Sequence, residues 1–252
     1  MRFILFLTLT NLWTLSIGQQ VIQYVNPFIG TSNYGATHPG TNFPHGMVSV
    51  TPFNVAHKKG QENKFEKDSE WHSRPYVHEN KFLTGYSHVN LSGVGCPDLG
   101  SILLMPTTGK LEFDAELYGS TYKHEVASPG FYSNELEKYG VLTEMTSTLR
   151  TGLSRYTFPA GESHILLNLG LGLTNETGSY LKIVSPTEIE GFKTFGTFCY
   201  SDEDVRPVYF VMKLSKTPRS YGAWKKMPEY QGVEGEWIGY NDSYKPYEQY
   251  MF

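Results

Sequence analysis

Between Thr84 and Gly100 the chain sets Tyr86, His88, Asn90, Cys96 and Asp98 among Gly85, Gly93, Gly95, Pro97 and Gly100. Glycine lets a backbone take positive φ and approach a ligand closely, while phenol, imidazole, amide and carboxylate groups supply directed donors and acceptors. The combination suits a sugar or similar polyol, whose C–H faces pack on aromatic rings and whose hydroxyls take hydrogen bonds. Tyr86, His88 and Asn90 are spaced by two, so an extended segment would turn all three to one face. Trp71 and His72, closing a polar stretch just upstream, extend this set of expected sugar contacts, and Asp98 adds a carboxylate. Gly93, Gly95 and Pro97 are expected to shape the loop.

Two other chemistries fit these residues less well. A nucleophilic triad of His88, Cys96 and Asp98 needs a base beside the thiol and a strand-turn-helix context to hold it poised, and the sequence offers no such context. Zinc ligation by His38, His45 and His88 lacks the tight spacing or the cysteines of most zinc sites. Glycoside hydrolysis with inversion needs two carboxyl groups roughly 6.5 to 9.5 Å apart, and no convincing pair stands out. Asp98 follows Pro97 as a turn residue would, and Asp202-Glu203-Asp204 beside Arg206 reads as a solvated turn.

The elements that must hold this loop read as strands. Val48–Val50, Ser101–Met105, Tyr122–Val126, Phe131–Leu136, Val141–Leu149, Leu153–Phe158, His164–Leu169, Leu181–Val184, Phe192–Phe198 and Pro207–Leu214 are the expected set. Val141, Thr143, Met145, Ser147 and Leu149 alternate with Leu142, Glu144, Thr146 and Thr148, the pattern of a half-buried antiparallel strand. Turn signals such as Ser128-Pro129-Gly130 and Pro159-Ala160-Gly161 separate these runs, and no long stretch keeps a helical period. The fold class is therefore all-β, a large antiparallel β-sandwich. Phe53–Asn80 is the exception, a polar insertion without period that reads as a functional loop. The aromatic tail from Tyr221 to Phe252 reads as a last strand pair or a linker, with apolar surface fit for an interface.

Arg2 and the apolar run that follows, with Ser16 and Gly18 ahead of Gln19, predict a signal peptide over residues 1–18 cleaved after Gly18. The run is too short for the roughly 20 residues of a spanning helix, so a secreted or periplasmic protein without a membrane span is expected. Residues 19–252 then form one β-domain. With 21 basic against 25 acidic residues and a net charge of −4, the chain lacks the basic surface that a nucleic-acid partner requires. Its 18 tyrosines and 15 phenylalanines favour ligands that are stacked on and hydrogen-bonded together. Cys96 and Cys199 leave a disulfide open, and Asn90, Asn175 and Asn241 head glycosylation sequons.

Three motifs, Asn26-Pro27-Phe28-Ile29-Gly30-Thr31, His38–Pro52 and the Thr84–Gly100 loop, occur in an order that resembles the amino-terminal domain of glycoside hydrolase family 92. The family's usual loop has Phe and a second His where this chain has Tyr86 and Asn90. The resemblance implies an exo-acting, calcium-dependent, inverting α-mannosidase that degrades mannose-containing glycans. It also implies a supersandwich-like β-domain joined to an (α/α)6 barrel that carries the acid, the base and most calcium ligands. That catalytic barrel is expected to be absent here and to act as a partner in cis or in trans, so this chain alone is expected to bind no cofactor and to hydrolyse nothing. A stand-alone secreted carbohydrate-binding module is the alternative expectation.

Overall fold

A computed structural model describes residues 21–33, 35–55, 74–93, 95, 98–173, 176–195, 205–226, 236–241 and 249–251. After a short 3-10 turn at Val21–Tyr24 come β1 (Thr41–Asn42), β2 (Ser49–Pro52), β3 (Phe82–Leu83), β4 (Tyr86–Ser87), β5 (Val89–Asn90), β6 (Leu99–Ser101) and β7 (Leu103–Thr108). One helical turn, Ala115–Tyr118, is capped by the Asp114 side chain accepting from the Glu116 N–H. Then follow β8 (Ser120–Ser128), β9 (Phe131–Leu136), β10 (Val141–Ser147), β11 (Gly152–Thr157), β12 (Ser163–Asn168), β13 (Glu176–Ser185), β14 (Glu188–Phe195), β15 (Arg206–Lys213), β16 (Tyr221–Lys226), β17 (Glu236–Asn241) and β18 (Gln249–Met251).

Among the described residues these strands form two five-stranded antiparallel sheets, ordered β1-β2-β4-β7-β12 and β11-β10-β9-β8-β3. A four-stranded sheet, β15-β14-β13-β18, and two-stranded ribbons β16-β17 and β5-β6 complete the set. The all-β expectation holds, and each expected strand is present with ends shifted by a few residues. The expected Phe192–Phe198 strand is described as far as Phe195. The tail supplies strands β16, β17 and β18.

The two five-stranded sheets face each other as a sandwich. Val50, Tyr86, Met105 and Leu166 come from one sheet, and Leu83, Tyr122, Tyr132, Leu136, Val141 and Met145 from the other, all in one buried cluster. Strand β10 shows the cause: Val141, Thr143 and Met145 are buried while Leu142 and Thr146 face out, so period-two alternation places the apolar face inward. Each fully buried large apolar side chain contributes roughly 1.5–3 kcal/mol. Hairpin β8-β9 closes at Ser128-Pro129-Gly130, where Gly130 takes φ 78°, the conformation that the turn position after proline demands. The third sheet is tied in through Lys193, which is fully buried and donates from Nζ to the Leu171 carbonyl at 2.6 Å.

One irregularity changes what the core contains. Strand β8 pairs with β9 until Lys123, slips, and resumes at Val126, with His124 between them at φ 52°. The extra residue is a β-bulge that reverses the inside and outside positions of the strand, so Tyr122 and then Glu125 both point inward. Glu125 Oε1 accepts from the hydroxyls of Tyr76 (2.9 Å) and Tyr132 (2.7 Å), and its Oε2 lies 3.2 Å from Lys81 Nζ. Asn134 Nδ2 donates to the Tyr132 hydroxyl, and Asn134 Oδ1 accepts from Tyr86 and Thr143. Asn54 Nδ2 donates to the Tyr122 hydroxyl, which itself donates to the Asn80 carbonyl. A chain of hydrogen bonds therefore runs through the sandwich, with each of these polar groups satisfied as burial requires.

Candidate functional site

The loop that sequence alone singled out runs from β4 to β6, across the open end of β2. Its first anchor is Tyr86, which is fully buried and donates its hydroxyl to Asn134 Oδ1 at 2.5 Å, with Thr143 Oγ1 at 2.9 Å. In this structure the Tyr86 ring belongs to the core. The alternation argument fails here because the strand breaks, β4 ending at Ser87 and β5 starting at Val89 with an irregular register. Asp98 has no exposed surface either.

His88 sits at the break. The residue is half-buried, and Nδ1 lies 2.8 Å from the Ile102 carbonyl. A carbonyl can only accept, so Nδ1 is the protonated nitrogen. Burial holds the imidazole below its usual pKa, opposed by hydrogen bonds to the Ile102 and Tyr86 backbone, so the ring is neutral at pH 7. Its partner residue is itself unusual. Ile102 has φ 57° and Leu99 φ 67°, left-handed conformations that cost branched or bulky residues energy and persist where surrounding structure enforces them.

Asn90 turns back onto β2. Its Nδ2 donates to the Ser49 carbonyl at 2.8 Å and to Ser49 Oγ at 3.1 Å, and Oδ1 accepts from Ser87 Oγ at 2.6 Å. The amide is thus spent on holding β5 against β2, which positions His88 beside it. Gly93 takes φ 106° and donates its N–H to the Ala36 carbonyl at 2.6 Å. This bond joins the glycine loop to the segment that precedes His38. A Cβ on Gly93 or Gly95 would meet nothing within 4 Å, so it is backbone conformation that explains Gly93, while neither reason applies to Gly95. Trp71, His72, Cys96, Pro97 and Cys199 lie outside the described residues.

The seam so formed contains buried polar atoms that the fold does not use. His38 is 7 % exposed, and neither ring nitrogen has a hydrogen-bond partner; Thr51 Oγ1 on β2 and Ser101 Oγ on β6 are in the same condition. Each such atom costs about 1–3 kcal/mol when left unpaired. Sequence reasoning considered His38 only for zinc; its burial is a tertiary fact, in a segment where Gly40 lies so close to β2 that a side chain there would strike Thr51 Cβ at 2.4 Å. Among the described residues no three His, Cys, Asp or Glu side chains gather as a metal site.

Burial lowers the His38 pKa from 6.5 to about 4. The folded pKa is depressed, so its stability contribution is complete above pH 6.5 and is lost as pH falls towards 4. Replacing His38 with Gln should remove about 2–3 kcal/mol of the wild-type stability loss between pH 7 and pH 4.5, measured by urea unfolding at both values. An unchanged acid dependence would refute the assignment.

The architecture is thus a β-sandwich with a polar, glycine-bearing seam between β4 and β6. The sequence profile described as the glycosyl hydrolase family 92 N-terminal domain matches residues 24–247. The chain belongs to that family. It is 28% identical to the solved family 92 α-mannosidase BT3965 from Bacteroides thetaiotaomicron, with a TM-score of 0.69 over 90% of this chain and 32% of that one. The fold also matches the family 92 glycosyl hydrolase ccman5 at TM-score 0.66 and 21% identity, covering 87% of this chain and 29% of the other. An uncharacterized secreted glycosidase from Arthroderma benhamiae is 30% identical over 148 residues, which is 55% of this chain and 17% of that protein. The chain thus spans about a third or less of the length of these relatives. No helix among the described residues is long and apolar enough to cross a membrane.

Proposed function

We propose that this chain is the carbohydrate-contacting amino-terminal domain of an exported, exo-acting, inverting α-mannosidase that degrades mannose-containing glycans. The observation that carries this reading is the family 92 match over residues 24–247 together with 28% identity to a solved α-mannosidase. In the complete enzyme the acid, the base and most of the calcium ligands belong to an (α/α)6 barrel, and the seam around His88 forms one wall of the sugar pocket. Export is supported by the apolar amino-terminal run and by the relative named as a secreted glycosidase.

The test is calorimetry of the 252-residue chain with an α-linked mannobiose, alongside an assay on an aryl α-mannoside. The chain should bind the disaccharide weakly and release no mannose, and His88→Gln should weaken binding about tenfold, or about 1.4 kcal/mol. Binding that is indifferent to His88→Gln, or turnover by the chain unaided, would overturn the reading.

A further inference from the structure

The four-stranded sheet carries a second surface suited to glycans, on the face turned away from its buried residues. Strand β14 alternates strictly, with Ile189, Gly191, Lys193 and Phe195 buried and Glu190, Phe192 and Thr194 on the opposite side. The register places Tyr180 opposite Phe192 and Phe192 opposite Tyr209, so the three rings form one row across β13, β14 and β15. Their centroids are 5.6 Å apart for Tyr180 and Phe192, at an interplanar angle of 18°, and 5.5 Å apart for Phe192 and Tyr209. Tyr209 is 73% exposed and Val211, two residues along the same strand, 60%.

We propose that this row is an ancillary binding platform for a neutral polysaccharide, an α-mannan chain lying across the rings. Charge argues for that occupant. The groups flanking the row neutralise each other, Lys182 with Glu190 at 3.5 Å and Glu188 with Lys213 at 3.3 Å, so the face offers no net charge to attract an anionic polymer or a charged peptide. Size argues against a second copy of the chain: an aromatic side chain buries at most roughly 150–250 Å², and three partly covered rings fall short of the roughly 800 Å² per partner of a stable interface. Chemistry fits a polyol, since rings meet the C–H faces of pyranoses while Glu190, Lys182 and Thr194 supply donors and acceptors beside them. The platform lies on a different sheet from the His88 seam; the choice of α-mannan as the polymer rests on the proposed function.

The experiment is native electrophoresis of the 252-residue chain through gels containing graded amounts of branched α-mannan, with sedimentation velocity on the same samples. The wild-type chain should be retarded, and Tyr209→Ala should show an apparent Kd at least tenfold higher. Tyr209→Phe, which keeps the ring, should behave as wild type. Absence of retardation in the wild type, or equal retardation of Tyr209→Ala, overturns the proposal. Loss of retardation in His88→Gln with retention in Tyr209→Ala assigns binding to the seam instead. A dimer that Tyr209→Ala converts to a monomer gives the face to a second copy and also overturns it.

Discussion

Raising the pH above 10 should unfold this domain abruptly, with tyrosinate absorbance and loss of far-ultraviolet circular dichroism rising in one coincident step. Tyr76, Tyr86, Tyr118, Tyr122 and Tyr132 are all buried, and burial is the first cause that raises each phenol above its usual pKa of 10. For Tyr122 and Tyr132 the nearby Glu125 carboxylate is the next. Raised folded values mean that the unfolded chain sheds these protons first. Stability is intact below pH 10 and declines as pH climbs towards the folded values. Each phenol contributes a slope of about 1.36 kcal/mol per pH unit, so the five together approach roughly 7 kcal/mol per unit. A total stability of roughly 5–15 kcal/mol is exhausted within one to two units. Tyr139 and Tyr156, pushed up to about 12 by burial, steepen the collapse. Gradual tyrosine ionisation with retained dichroism would refute the buried cluster.

Removing the carboxylate at the centre of that cluster should be the most damaging single substitution. Glu125→Ala leaves the Tyr76 and Tyr132 hydroxyls and the Lys81 ammonium without their common acceptor. Breaking a buried, hydrogen-bonded ionic group typically costs about 3–5 kcal/mol. Lys81 is 42% exposed, which limits the ionic share and makes the two phenol bonds the larger part. Glu125→Gln keeps an acceptor oxygen and should lose only about 1 kcal/mol. Urea midpoints of the two variants distinguish these cases; equal losses would show that the carboxylate acts by charge alone.

Strand identity was legible from local pattern where a strand was long enough to alternate. Val141–Ser147 shows its buried face in the sequence itself. The two-residue strands β1, β3, β4 and β5 carry no such pattern, because they exist only where longer neighbours offer them hydrogen bonds. Spacing by two put Tyr86, His88 and Asn90 on one face only so long as the strand was continuous. Once His88 interrupts it, Tyr86 falls to the core and Asn90 folds back on Ser49. Neither the burial of His38 nor the aromatic row on the third sheet was readable, since each depends on pairing between segments far apart in the chain. The bulge at His124 was hidden for another reason: Lys123 and His124 are ordinary strand-surface residues, without the glycine that often announces one.

The bulge also decides which way the second half of its strand faces. Strand β8 carries a residue that its partner strand does not match. Pairing the full-length strand without a bulge would bring Val126 to the interior and send Glu125 to the solvent, whereas removing His124 would leave a regular ladder in which Glu125 still faces inward. The surplus residue is therefore a phase shift written into the chain: it reconciles two stretches whose inward positions fall on odd and even numbers.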